Sequence, residues 1–508
     1  MPTASTAAAA PPGRFAGHGE DAPLDLPGLH ERAAAGLIAR FRDGTMAAFA
    51  DTLAAVHNCA RPVRLTGSTV TIDETTGEVL SSYDSSRAPL GALYRPCGNR
   101  RAHVCPACSC TYARDTFALI KSGVCGGKTV PERVADNPLL FATFTAPSFG
   151  PVHGHRGGNP CRPRRRDDLT RCPHRRPLWC SKVHHPGDTQ AGAPLCPQCH
   201  DTTSAVVWQW HAPELWRRTT IALRRAVAAH LGVPERQLGE YASVQYAKVA
   251  EYQDRCLVHF HALIRLDGPT ADGTGAPAPA SLDVATLVQL VRDVAPTVTA
   301  PAEPVDEADV PRVLAWGAQL DVRVVTAGTR SDDPGGPLTP EQVAGYLAKY
   351  ATKDASGLHG EGQRRPHVTA FRGACADLAA RAAAYHPPGH DYAAMGRWVH
   401  MLGFRGHFGT KSRRYSITLG AIRRSRARWG ALAAEARRTG IPLDTRDLER
   451  RLLAEDEDQT TLVLGSWSYT GTGWRDPAEE ALALAAATRA REYDQWRAAR
   501  ADRGRKRL

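Results

Sequence analysis

The clearest pattern along the chain is a two-residue alternation in CLVHFHALIR, inside residues 256–266. Val258, Phe260, Ala262 and Ile264 fall on one side, and His259 and His261 on the other. This spacing predicts a strand with one apolar face toward the core and two imidazoles on the opposite face. Residues 242–251 read as its partner strand, joined by a tight turn near Gln253-Asp254-Arg255. LLFATFTAPS at 139–148 is β-branched and aromatic and reads as a strand ending at Pro147. QLDVRVVT at 319–326 is another.

Helical spacing covers residues 28–57, residues 213–231 beginning at Pro213, and residues 283–294. From residue 420 the chain reads as largely helical, broken by TTLVLGSWSYTGTGW at 460–474. A short helix with a strong start signal lies in LTPEQVAGYLAKYATK, residues 338–353. Thr339 is placed to cap it, Pro340 takes the first helical position, and Gln342 completes a capping box. Residues 1–24 are Ala/Pro/Gly-rich and expected to be disordered, and 267–281 reads as a flexible loop.

On the 338–353 helix, Tyr346 and Tyr350 are four apart and share one face. Lys349 and Lys353 follow them at three-residue intervals. By itself such a pair fits packing against the core. As chemistry, one phenolate attacks a phosphodiester, helped by a base, a metal or a nearby lysine that offsets the high phenol pKa. His259 and His261 on one strand face are suited to ligate one divalent ion. Glu251 completes the set if the turn is three residues long, which pairs it with Leu257 on the histidine side. A two-residue turn sends it to the other side, and Gln253 is then the fallback ligand. A His/His/Glu set suits Mg²⁺ or Mn²⁺.

Composition adds two further chemistries. The 508 residues include 64 Lys+Arg against 52 Asp+Glu, for a net charge of +12, which favours a polyanionic partner. Residues 403–416 interleave Arg405, Lys411, Arg413 and Arg414 with Phe404, Phe408 and Tyr415, a pattern suited to single-stranded DNA. Arg162, Arg164, Arg165 and Arg166 form a candidate phosphate-contacting loop. Ten of the 13 cysteines lie within 97–200, in two groups. The first is Cys97, Cys105, Cys108 and Cys110. The second is Cys161, Cys172, Cys180, Cys196 and Cys199, with His174, His184, His185 and His200 nearby. CPAC and CPQCH are knuckle-like turns, so Zn²⁺ is the expected ligand, with pairing unreadable and Cys125 left over. A second His-x-His, His153-Gly154-His155, sits in a glycine-rich loop. No apolar run reaches membrane-spanning length and no signal peptide is evident, so a cytoplasmic protein without a membrane partner is expected. SGVCGGKT at 122–129 resembles a phosphate loop, but a helical pattern precedes it where a strand is required, and ATP binding is rejected.

FATFTAPS, HFHALIR and YLAKYATK, in that order, resemble the three motifs of HUH endonucleases of the two-tyrosine class. CPACSCTYARD, LFATFTAPSFGPVH, LWRRTT, YAKVAEYQDRCLVHFHALIRLDG, AGYLAKYATK and LGFRGHFGTKSRRYS together resemble RepSA-type replication initiators of actinobacterial plasmids and integrative-conjugative elements, over roughly 92–475. Cys256 stands where such hairpins usually carry glycine. The resemblance implies an α+β fold: an HUH antiparallel sheet flanked by helices, with a Cys-rich zinc-binding insertion and a helical C-terminal tail. With the compositional and helical patterns, the expected organisation is a disordered tail at 1–24, an N-terminal helical region at 25–90, and a zinc-binding region at 91–212 that includes strand 139–146 of the catalytic sheet. A nicking domain at 213–425 and a helical region at 426–508 complete the chain.

The implied activity is metal-dependent nicking of origin DNA, double- and single-stranded, by Tyr350 or Tyr346, with Tyr350 preferred for its deeper place in the helix. A 5′-phosphotyrosine and a 3′-OH primer for rolling-circle replication result, and a host helicase and DNA polymerase act as partners. Two alternatives stand beside it: a two-tyrosine transposase, and a zinc-dependent DNA-binding regulator without catalysis.

Overall fold

The structure is a computed structural model that describes residues 31–505, apart from 89, 165–170, 186, 327–337, 353–357, 359–364 and 455–460. Its strands run β1 Val63–Asp73, β2 Val79–Asp84, β3 Leu93–Arg95, β4 Leu139–Phe144, β5 Ser243–Tyr252, β6 Val258–Asp267, β7 Thr299–Ala302, β8 Arg312–Ala315, β9 Leu320–Val324, β10 Gly409–Lys411 and β11 Thr461–Thr472. Contacts divide the chain into two compact units, Met1–Arg114 with Glu455–Leu508, and Asp115–Ala454. This differs from the five consecutive segments expected, because the first and last parts of the chain fold together.

In the first unit β1 pairs antiparallel with β11, from Val63 opposite Thr472 to Asp73 opposite Thr461, and β2 and β3 pair with β1. The helical reading of 25–90 is therefore corrected after Ala55. Residues 63–84 form a hairpin, since alternating β-branched residues favour a strand. Asp73 closes its turn by accepting the N–H groups of Thr75 and Thr76 at 2.8 and 2.9 Å. Trp474 anchors the small core. It stacks on Tyr94, meets Phe49 edge-on, and donates from Nε1 to the Cys59 carbonyl at 2.9 Å.

The second unit is built on an antiparallel sheet of order β10-β5-β6-β4-β9. The alternation on β6 works as expected. Val258, Phe260, Ala262 and Ile264 are buried in the main core. The helix Thr202–His230 covers that face, with Trp216 against both Phe144 and Phe260. Its start is a correction. It begins at the Asp201 cap, which accepts the Ser204 N–H at 2.9 Å, and Pro213 lies inside it. Buried residues lie on both sides of the proline, among them Val206, Trp208 and Trp210 before it and Leu215 after it. The side chain of Gln209, fully buried, donates to the Cys256 carbonyl and accepts the Val258 N–H, both at 2.9 Å. It thereby satisfies the two backbone groups where β6 leaves its turn. Residues 122–125 end the helix Pro106–Cys125, which confirms that no strand precedes the SGVCGGKT stretch. No helix among the described residues is long and apolar enough to cross a membrane.

One core residue is out of character. Lys248 on β5 is 3% exposed, donates to the His407 carbonyl at 3.2 Å, and sits 4.1 Å from the Phe260 ring centre. Burial lowers its pKa to about 7. An unfolded lysine keeps its proton to about pH 10.4, so between those values unfolding takes up a proton and stability rises with pH. Lys248→Met is expected to raise stability at neutral pH and below and to flatten that rise, as measured by urea unfolding at about pH 6, 8 and 10.

Candidate active site

Cross-strand register assembles the site. Glu251 lies opposite His259, and Val249 opposite His261, so the carboxylate and both imidazoles share the face turned away from the core. Tyr252 pairs with Val258, which leaves a turn of Gln253 to Leu257 rather than the two or three residues expected. The turn is two residues longer than the three-residue alternative. A shift of two preserves the face, so Glu251 still reaches the histidines although its partner is His259 and not Leu257. Cys256 adopts φ +70° in this turn, the conformation for which glycine is the usual residue. Gln253 is engaged within the turn, accepting from Arg255 Nε at 2.8 Å.

Glu251 Oε2 stands 3.1 Å from His259 Nε2 and 2.9 Å from His261 Nε2. Three ligand atoms thus converge on one point, within 4.8 Å of one another. Burial works to raise the Glu251 pKa, but hydrogen bonds and charge from the two histidines outweigh it and hold the carboxyl at about 2. Burial lowers the pKa of His261, which favours the neutral, ligating form. Two β4 residues that the sequence reading left without roles orient this histidine. Thr143 Oγ1 is 3.1 Å from His261 Nδ1, and the Phe141 ring stacks on the imidazole. Their signal was present in FATF, where Phe141 and Thr143 alternate with buried Ala142 and Phe144.

The helix Pro340–Ala351 presents the tyrosines. Its capping box forms as expected between Thr339 and Gln342, and Val343, Ala344, Leu347 and Ala348 bury its apolar side. Tyr346 Oη lies 3.2 Å from His261 Nε2 and 3.4 Å from Glu251 Oε2. Tyr350 is the farther of the two: its ring centre is 6.1 Å from that of His261, against 5.0 Å for Tyr346. The two tyrosine rings are 4.5 Å apart. Burial, then the Glu251 charge, raises both phenol pKa values. Lys349 Nζ lies 5.8 Å from the Tyr350 ring centre. Lys353 is outside the described residues.

The basic–aromatic stretch takes another form. Phe404, Phe408 and Tyr415 are buried in the fold and present no surface for stacking bases. Arg405 pairs with Asp391 and lies over Trp210. Lys411 donates to the carbonyls of Ser412, Arg413 and Ser416, and burial lowers its pKa to about 8. Arg413 and Arg414 are exposed, and Arg414 also donates to the Thr270 carbonyl. Arg165 and Arg166 lie outside the described residues, while Arg164 lies over Trp179.

The cysteines sort into three clusters: Cys59, Cys97, Cys105 and Cys108; His153, Cys161, Cys180 and His184; and Cys172, His174, Cys196 and Cys199. Cys110 is replaced by Cys59 in the first. On a helix beginning at Pro106, residue 110 points about 200° away from residue 108. Cys59 arrives through left-handed turns at His57 and Asn58, and its distance from any CxxC pair hid it in the sequence. Cys59 and Cys105 sulfurs are 3.7 Å apart, close to the edge of about 3.8 Å that a zinc–sulfur tetrahedron requires. Hydrogen bonding among the four thiols, Cys108 foremost, lowers the Cys105 pKa. His153, read only as part of a glycine-rich loop, is a member of the second cluster, and His185 and His200 belong to none of the three. His184 Nδ1 is held by Asp188 Oδ2 at 2.6 Å, which leaves its Nε2 for a ligand.

Two outcomes are expected. His261→Ala weakens Mn²⁺ binding by about tenfold or more in a calorimetric titration. Cys59→Ser lowers zinc content by one equivalent in elemental analysis, whereas Cys110→Ser leaves it unchanged.

Residues 45–488 match the family model described as RepSA, replication initiator protein, pSAM2. A replication initiator protein from Streptomyces ambofaciens is 41% identical over 441 residues, covering 84% of this chain and 86% of the relative. No solved structure matches the chain. On the extent of the family match and of this identity, the chain belongs to the RepSA family of replication initiator proteins.

Proposed function

We propose that this protein starts replication by nicking origin DNA through tyrosine transesterification, on an HUH-type sheet. The observation that carries this reading is the Tyr346 hydroxyl beside three converging ligand atoms, 3.2 Å from His261 Nε2 and 3.4 Å from Glu251 Oε2. A Mg²⁺ or Mn²⁺ ion held by Glu251, His259 and His261 would polarise the scissile phosphate and offset the charge that raises the phenol pKa. The donor set fits such an ion, because two imidazole nitrogens and one carboxylate oxygen lie within 4.8 Å of one another.

Tyr346 attacks the phosphorus as its phenol proton is lost. A Tyr–O–P bond forms, the bond from phosphorus to the 3′ oxygen breaks, and that oxygen takes up a proton. The products are a 5′-phosphotyrosine and a 3′-OH primer for rolling-circle replication. Tyr350, on the same helix face, serves the second transfer that closes the cycle. This order reverses the preference drawn from depth along the helix, since the Tyr346 ring lies nearer the His261 ring. Lys349, near the Tyr350 ring, supplies positive charge to the second tyrosine. Lys353 keeps the same supporting role in this reading. DNA contact falls to the exposed Arg413 and Arg414 rather than to Arg405 and Lys411, which are half-buried. The three Cys/His clusters hold structural Zn²⁺, and a host helicase and polymerase extend the nicked strand.

The test uses supercoiled plasmid carrying the element's own origin, with Mn²⁺. Tyr346→Phe is expected to abolish the covalent protein–DNA adduct. Tyr350→Phe is expected to keep the first adduct and lose strand closure. Full adduct formation by Tyr346→Phe sinks the assignment, and origin binding without any adduct in the parent protein favours a non-catalytic regulator.

A further inference from the structure

The insertion between β4 and the helix Thr202–His230 holds two of the Cys/His clusters and very little apolar core. Its separate buried cluster among the described residues consists of Cys161, Cys180 and Leu195. A segment with so little to bury needs another source of stability. Its ligands interleave. His153 and Cys161 join Cys180 and His184, while Cys172 and His174, which lie between those pairs in sequence, join Cys196 and Cys199. Each cluster therefore closes a loop that contains part of the other. Backbone hydrogen bonds between Arg162 and Cys180, both 2.8 Å, bring the two halves of the His153 cluster together.

This cluster connects physically to the turn of the active-site hairpin. His153 donates its N–H to the Ala193 carbonyl and accepts the Gly192 N–H, both at 2.8 Å. Gly192, at φ +87°, packs directly on the turn: a methyl group there would run into the Asp254 carbonyl oxygen. The neighbouring Arg255 donates from Nη1 and Nη2 to the carbonyls of Pro147 and Ala146, both at 2.7 Å, where the insertion leaves β4. The turn so held is the one that sets Glu251 opposite His259.

We propose that His153, Cys161, Cys180 and His184 bind a zinc ion that braces the β5–β6 turn through Gly192, so that a structural metal governs the affinity of the nicking site for its own divalent ion. Asp188 is a positioning residue in this scheme, orienting His184 through Nδ1. The coupling rests on the reading of Glu251, His259 and His261 as ligands, and the zinc site itself does not.

The experiment takes the full chain and reads two quantities: zinc per chain by elemental analysis, and Mn²⁺ affinity by electron paramagnetic resonance titration of the zinc-loaded protein. Three zinc equivalents are expected in the parent, one for each Cys/His cluster. Cys180→Ser is expected to lose at least one and to weaken Mn²⁺ binding about tenfold. Gly192→Ala is expected to keep all three and still weaken Mn²⁺ binding about tenfold. If Gly192→Ala fails to fold, Asp188→Asn replaces it, with zinc released at lower chelator concentration and Mn²⁺ affinity falling as that zinc leaves. Full zinc content in Cys180→Ser overturns the site. Parent-like Mn²⁺ affinity in zinc-loaded Gly192→Ala, or in Asp188→Asn stripped of this zinc, overturns the brace. If the parent binds no Mn²⁺ that His261→Ala removes, the nicking reading fails and the coupling with it, while the zinc count still decides the metal site.

Discussion

Opposed residues on antiparallel strands hold their Cβ atoms about 5 Å apart, close enough for one carboxylate to meet an imidazole directly. Glu251 opposite His259 is such a pair, and the rest of the site depends on it. Slipping the hairpin by one residue would send Glu251 into the apolar layer and leave both histidines without a carboxylate. Several features resist that slip. Phe260 and its neighbours anchor one face of β6 in the core, Gln209 satisfies the backbone at the end of the turn, and Cys256 takes a left-handed conformation within it. Three features of unrelated origin therefore specify one register.

The same face explains why the tyrosine helix has an ambiguous appearance. Tyr346 borders a buried stripe of Val343, Ala344, Leu347 and Ala348, so it looks like a packing residue in helical projection. Its hydroxyl nevertheless ends at His261 and Glu251, in surroundings that disfavour the phenolate. Burial and a nearby carboxylate make this phenol hard to ionise unless a cation is present. A phenol in such surroundings stays protonated.

Outside the sheet, the chain relies less on apolar burial. The insertion after β4 folds around cysteine and histidine clusters, and its backbone reaches the hairpin turn through a glycine that tolerates no side chain. The first unit shows a comparable economy, with Trp474 packed between Tyr94 and Phe49 next to the Cys59 cluster.

Local patterns were enough to predict the β6 alternation, the capped tyrosine helix, the helical stretch before 122–129 and the presence of cysteine clusters. Each rests on residues close together in sequence, whose spacing follows directly from strand or helix geometry. Partners far apart in the chain were decided by tertiary structure. Cys59 joins Cys97 and Cys105, 38 and 46 positions away, His153 joins His184 across a loop, and β1 finds β11 at the other end of the chain. No local period encodes such pairings. The choice between Tyr346 and Tyr350 has the same origin, because both lie on one helix face and only the docking of that helix against β5 ranks the distance of their rings from His261. The aromatic residues of 403–416 also changed meaning on folding, since a sequence pattern that suits base stacking equally suits a core, and burial chose the core.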